Sequence, residues 1–194
     1  MLITASAIGY YGDRGEEILN EDSPPGEGFL PEVCRQWEAA AQPAEEARIR
    51  TVQTRISLVL SSAGGALQKM LTPFRLGVGG NMGSGRQWWS WIHIDDLTRA
   101  IHHILNRDSI HGAVNLVSPN PIRNAEFTKI LASVLHRPAI FPMPAFAARL
   151  AFGQMADELL LASQKVAPAK LISCGYAFQH GELRKALEET LHQP

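Results

Sequence analysis

Three short stretches carry side chains able to do chemistry, and one glycine-rich loop could act through its backbone. In "WSWIHIDD", His93 and Asp95 share one face if the segment is extended, and imidazole beside carboxylate is a metal-ligand pairing. Asp95 and Asp96 also stand just before the apolar positions Leu97, Ala100, Ile101, Ile104 and Leu105, where a carboxylate caps a helix N-terminus. Capping is the preferred reading, and no metal site is expected. In the adjoining "RQWW", Arg86 and Gln87 suit a polar or anionic ligand, and Trp88 and Trp89 could stack on a ring or pack a lid. Cys34 precedes Arg35, a cation able to lower a thiol pKa. Helical neighbours point about 100° apart, however, so a reactive thiol is not expected. The glycines at 77, 79, 80, 83 and 85 miss the G-x-G-x-x-G spacing because position 82 is Met, and they precede a strand instead of following one. That loop is not read as a phosphate cradle.

The elements that must hold these groups alternate. Residues 2–8 read as a strand and 12–30 as a loop rich in Gly, Pro and acids. Pro31 suits the first residue of a helix carrying Val33, Trp37, Ala41 and Ala44, to about residue 47. Trp37 and Glu38 are expected to tie that helix to the sheet, and Arg55 to pair with an acid such as Glu38. Residues 51–60 alternate as one strand. A helical stretch follows Gly64-Gly65, with Pro73 bending or ending it. Residues 113–118 form a further strand, Asn124 caps the next helix, and a last amphipathic helix spans about 182–191. This alternation predicts an α/β domain with a largely parallel sheet. The expected division is 1–118 for the α/β part, with a substrate-side segment at 77–96, and 119–194 for a mainly helical subdomain.

The 194 residues carry a net charge of -1, which gives no electrostatic case for nucleic acid or an anionic membrane. The most apolar run, 144–161, is interrupted by Arg149, Asp157 and Glu158 and does not span a bilayer. Two cysteines without a CxxC exclude a disulfide framework, and the cytoplasm is the simplest expected compartment.

In order, "SAIGYYG", "NEDSPP", "WEAAA", "RISLVL", "GSGRQWWSWIHIDDLTRAI" and "VNLVSPNPIRNAEFTKIL" resemble the extended short-chain dehydrogenase/reductase superfamily, the NAD-dependent epimerase/dehydratase group. The tail resembles the C-terminal domain of unknown function of its atypical YfcH-like branch. The resemblance implies the second half of a Rossmann-like, doubly wound parallel sheet, whose glycine-rich βαβ turn is not found here. NADP(H) or NAD(H) is implied for a full-length relative, with weak or no binding by this chain alone. A Ser or Thr at the fifth strand and a Tyr-x-x-x-Lys pair carry the superfamily's proton transfer. Ser6 lies near the first position. Leu30 and Cys34, or Phe29 and Val33, occupy the other two, so Tyr10 and Tyr11 are the replacement phenols.

The implied function is the substrate-side half of an NADP(H)-type reductase or epimerase-like protein acting on a small or sugar-like molecule. The alternatives are a non-catalytic dinucleotide-binding sensor or interaction protein, or a truncated product without activity. A strand begun at residue 2 leaves a sheet edge bare, so self-association through that edge is expected.

Overall fold

The computed structural model describes residues 1–153 and 156–192. The opening apolar stretch forms β1 (Leu2–Ala7), which runs into a 3-10 turn at Ile8–Tyr11. There follow β2 (Ile18–Leu19), α1 (Phe29–Ala39), α2 (Gln42–Glu46), β3 (Thr51–Ile56), β4 (Leu58–Leu60), α3 (Gly65–Arg75), β5 (Trp88–Trp89), β6 (Trp91–His93) and α4 (Ile94–Leu105). The second part comprises β7 (Gly112–Leu116), β8 (Ile122–Arg123), α5 (Asn124–Val134), α6 (Ala145–Phe152), a π-helical segment at Ala156–Leu161, β9 (Lys165–Val166), α7 (Ala169–Ser173) and α8 (Leu183–His192).

The central sheet is parallel in the order β1-β3-β7, and α1 packs on β1 and the 3-10 turn. Among the described residues no strand lies outside β1. Leu2 N–H donates to the Arg50 carbonyl at 2.8 Å, so alternation turns the peptide groups of Ile3, Ala5 and Ala7 away from β3. Ala5 is exposed in mid-strand.

Three local expectations change. Residues 51–60 split at Ser57, whose N–H and Oγ both turn to the Leu116 carbonyl. β3 therefore stays in the central sheet while β4 pairs with β6. The helix expected to reach residue 47 breaks into α1 and α2 around Pro43, which has no N–H to donate. Helix α1 starts two residues before Pro31, still within the first turn, where no intrahelical N–H bond is needed. It has no side-chain cap of its own; Glu158 accepts from the N–H groups of Phe29 and Leu30.

One core cluster joins Leu60 and Trp91 to Phe127, Leu131, Leu183 and Leu187, and so runs from β4 and β6 into α5 and α8. A second lies between the sheet, α4 and α7, around Val52, Ile104, Val114 and Leu171.

Candidate functional site

Ser6, Arg55 and Asn115 stand abreast on β1, β3 and β7, near the C-terminal ends of all three strands. In parallel strands, residues in register project to the same face. The crevice beyond the carboxyl ends of such strands is where open α/β sheets bind ligands. The register thus builds one polar row at the chemically useful end of the sheet.

Arg55 is the hub. Its Nε and Nη2 donate to the two carboxylate oxygens of Glu38 at 2.9 and 2.8 Å. This bidentate geometry fixes the guanidinium plane. Arg55 Nη1 donates to Tyr11 Oη at 2.9 Å and to the Glu21 carbonyl at 3.3 Å. Ser6 Oγ donates to the same Glu38 carboxylate at 2.7 Å. Tyr11 Oη donates to Asn115 Oδ1 at 2.8 Å, and Asn115 N–H donates to the Glu21 side chain at 3.1 Å. The Arg55 guanidinium lies 3.5 Å from the centroid of the Tyr10 ring.

Burial works against the Arg55 charge, but the bonds to Glu38 and Tyr11 outweigh it and hold its pKa above the ordinary value. Burial pushes the Tyr11 phenol up against the opposing pull of Arg55, so it stays protonated at neutral pH. Burial also raises the Cys34 thiol, which packs beside Ser6. The loop 20–26 closes over this row because Gly26 lets it: a Cβ there would meet the Tyr11 carbonyl oxygen at 2.3 Å.

The three hydroxyls differ in freedom. Tyr11 is wholly buried and both roles of its oxygen are taken. Ser6 is buried, and its proton goes to Glu38. Tyr10 is partly exposed, and among the described residues its hydroxyl has no partner.

Of the four residues read as substrate-side, Arg86 is the one whose side chain is exposed and without a partner among the described residues. Gln87 is buried and donates to the carbonyls of Met82 and Leu160, both at 3.0 Å. The Trp88 indole already carries Arg123 and Lys165 at 4.3 and 4.4 Å and donates to Glu16. Trp89 is core, packed against Phe127.

The capping expectations are corrected. The N-cap of α4 is His93, whose Nδ1 accepts from Asp95 N–H at 3.2 Å. Asp96 is buried and instead accepts from Tyr176 Oη at 3.0 Å and from the N–H groups of Gln179 and His180 at 3.0 and 2.8 Å. Asn124 opens α5 without capping it; its Oδ1 accepts from Met82 N–H at 2.9 Å and anchors the 77–87 loop. Trp37 is 58% exposed, so of the two residues Glu38 is the one that ties α1 to the sheet. Sequence reasoning missed Glu21, Tyr176 and His180. The only signal for the last two was an aromatic and a histidine in "GYAFQH", far along the chain.

Residues 143–190 match the family described as a domain of unknown function (DUF1731). An epimerase family protein of Mycobacterium bovis is 40% identical over 193 residues, which cover 100% of this chain and 64% of the relative. The Arabidopsis thaliana SDR39U1 homolog, described as chloroplastic, is 41% identical over 191 residues, 98% of this chain and 54% of that one. The crystal structure of human SDR39U1 (isoform 2) with NADPH superposes with a TM-score of 0.91 at 37% identity, covering 98% of this chain and 65% of that one. The chain thus spans somewhat less than two thirds of the length of these relatives. With its polar row at the carboxyl ends of a parallel β1-β3-β7 sheet, the chain is similar along its whole length to epimerase family proteins of the SDR39U1 kind, and its tail matches DUF1731.

Proposed function

We propose that this chain is the substrate-side part of an NADP(H)-dependent reductase or epimerase-like protein acting on a small or sugar-like molecule. The observation that carries the reading is the buried Ser6–Arg55–Asn115 row with Tyr10 at its open side. The NADPH in the human relative's structure supports the choice of cofactor class. Nicotinamide chemistry moves a hydride, and the substrate oxygen then needs a proton donor or acceptor. In this reading Tyr10 takes that role, supported by its ring resting on a guanidinium that Glu38 holds in place and by its uncommitted hydroxyl. Ser6, Glu38, Tyr11 and Asn115 keep Arg55 fixed. Arg86 is the exposed cation that would meet an anionic part of the substrate.

A second reading, a dinucleotide-binding protein without turnover, is favoured by Leu30 and Cys34 at the positions where the resemblance puts Tyr and Lys. Isothermal titration of the purified chain with NADPH and NADH is expected to give weak binding or none, because no glycine-rich phosphate turn is found in its sequence. Sub-micromolar binding would mean that the cofactor site lies within these residues. In any NADPH-dependent carbonyl reduction by a form of the protein that turns over, Tyr10→Phe should lower the rate ~100- to 10,000-fold. An unchanged rate removes Tyr10 from the chemistry, whereas dinucleotide binding with no turnover of any carbonyl substrate leaves the second reading.

A further inference from the structure

We propose that His93, Asp95 and His180 form a binding site for a divalent transition-metal ion of the zinc type. One ligand atom from each lies within 4.8 Å of the other two. His93 and Asp95 come from the start of α4, and His180 comes from the tail.

The environment of His180 calls for a cation. Its Nδ1 lies 3.3 Å from Asp96 Oδ2, and its Nε2 lies 2.8 Å from Glu189 Oε2. A neutral imidazole has one N–H and one lone pair. With a carboxylate at each nitrogen, one lone pair must face an anionic oxygen unless a proton or a metal ion stands between them. Placing a proton on His180 sets an imidazolium against the His93 ring, stacked at 3.9 Å and itself buried. A metal ion there would take one lone pair from each ring: His93 Nδ1 would give up the Asp95 N–H it now accepts, and the two rings would turn out of their stack so that both lone pairs face the ion.

The surroundings fit that use. His93 Nδ1 lies 3.7 Å from Asp95 Oδ2, while its buried Nε2 has no partner among the described residues. Asp96, fixed by Tyr176 and two backbone N–H groups, can hold His180 Nδ1–H and leave Nε2 for the ion. Metal-bound histidines are commonly oriented in this way by a second carboxylate. Two imidazoles and a carboxylate, with Glu189 close enough to add a fourth oxygen, suit zinc and exclude the all-oxygen preference of calcium or magnesium. Zn–N distances of about 2.0–2.1 Å require the side chains to draw together. The carboxylates of Asp95 and Glu189, 55% and 54% exposed, have room to do so, and His180 would have to turn toward the buried His93 ring. The bound ion would clasp the tail to the start of α4.

The test is titration of the chelator-stripped chain with zinc chloride by calorimetry and with cobalt(II) by visible absorption. The expected result is one ion per chain, tetrahedral cobalt bands and a raised melting temperature. Affinity should fall as pH drops below about 6.5, where free imidazoles protonate. Asp95→Asn, at a half-exposed side chain, and His180→Asn should each weaken binding at least ~10-fold, with circular dichroism confirming that both variants fold. Absence of saturable binding overturns the proposal, as does binding unchanged in both variants, which would place the ion on others of the seven histidines.

Discussion

Replacing Glu38 with Ala removes three hydrogen bonds at once, two from Arg55 and one from Ser6. Arg55 is 4% exposed, so bulk water cannot take the place of the lost carboxylate. Breaking one side of a buried ion pair costs about 3–5 kcal/mol, because the remaining charge stays desolvated. Arg55 keeps Tyr11 Oη, the Glu21 carbonyl and the Tyr10 ring, which sets the expectation at the low end, ~3 kcal/mol. Against a domain stability of roughly 5–15 kcal/mol, that is a large fraction. With a urea m-value of about 1–3 kcal/mol/M, the unfolding midpoint should fall by about 1–3 M, followed through the fluorescence of the four tryptophans. The double variant Glu38→Leu with Arg55→Met should lose less than Glu38→Ala alone, since it leaves no charge buried. A loss below about 1 kcal/mol for Glu38→Ala would show that Arg55 is hydrated, and the buried-pair reasoning would be refuted.

Gly26→Ala places a Cβ 2.3 Å from a backbone oxygen that cannot rotate away, and should lower stability by about 1–3 kcal/mol in thermal unfolding. Stability should also fall in acid in two stages. Burial and the nearby His180 charge depress the His93 pKa, so its contribution is full above the unfolded value of about 6.5 and declines as pH falls below it. Burial opposes the Asp96 charge, but the N–H donors of Gln179 and His180 and the Tyr176 hydroxyl outweigh it and depress its pKa. Its contribution is present above about 3.9 and is lost as pH falls through the folded value. Melting temperature against pH should show both stages in the parent, and only the upper one in Asp96→Asn.

The alternation that marks strands and helices is local, and most elements were legible from it. So was the Glu38–Arg55 pair, since a buried strand arginine must find an acid. Asp96 and Asn124 were misread because a cap and a long-range anchor use the same residue types. Which N–H their oxygens accept depends on where residues 82 and 176–180 pass, and no spacing encodes that. Whether Trp88 and Trp89 stack on a ligand or pack was not legible, because their covers, Arg123, Lys165 and Phe127, arrive from other segments. The break at Ser57 was hidden for a similar reason. The alternation continues through it, and only the competition of β7 and β6 for the two halves reveals it.

The borrowed cap of α1 has a consequence for the order of events during synthesis. The acceptor for the N–H groups of Phe29 and Leu30 is Glu158, which leaves the ribosome 128 residues after Leu30. β2 likewise waits for Lys165 and Val166 of β9, its partners. A nascent chain halted in the middle of its length therefore holds a helix whose first turn is open and a strand with no mate. Closing that turn is a late, long-range step, governed by completion of the tail and not by local helix propensity. Nascent chains arrested on either side of residue 158 would differ in how readily a protease cuts α1, although that helix was finished long before.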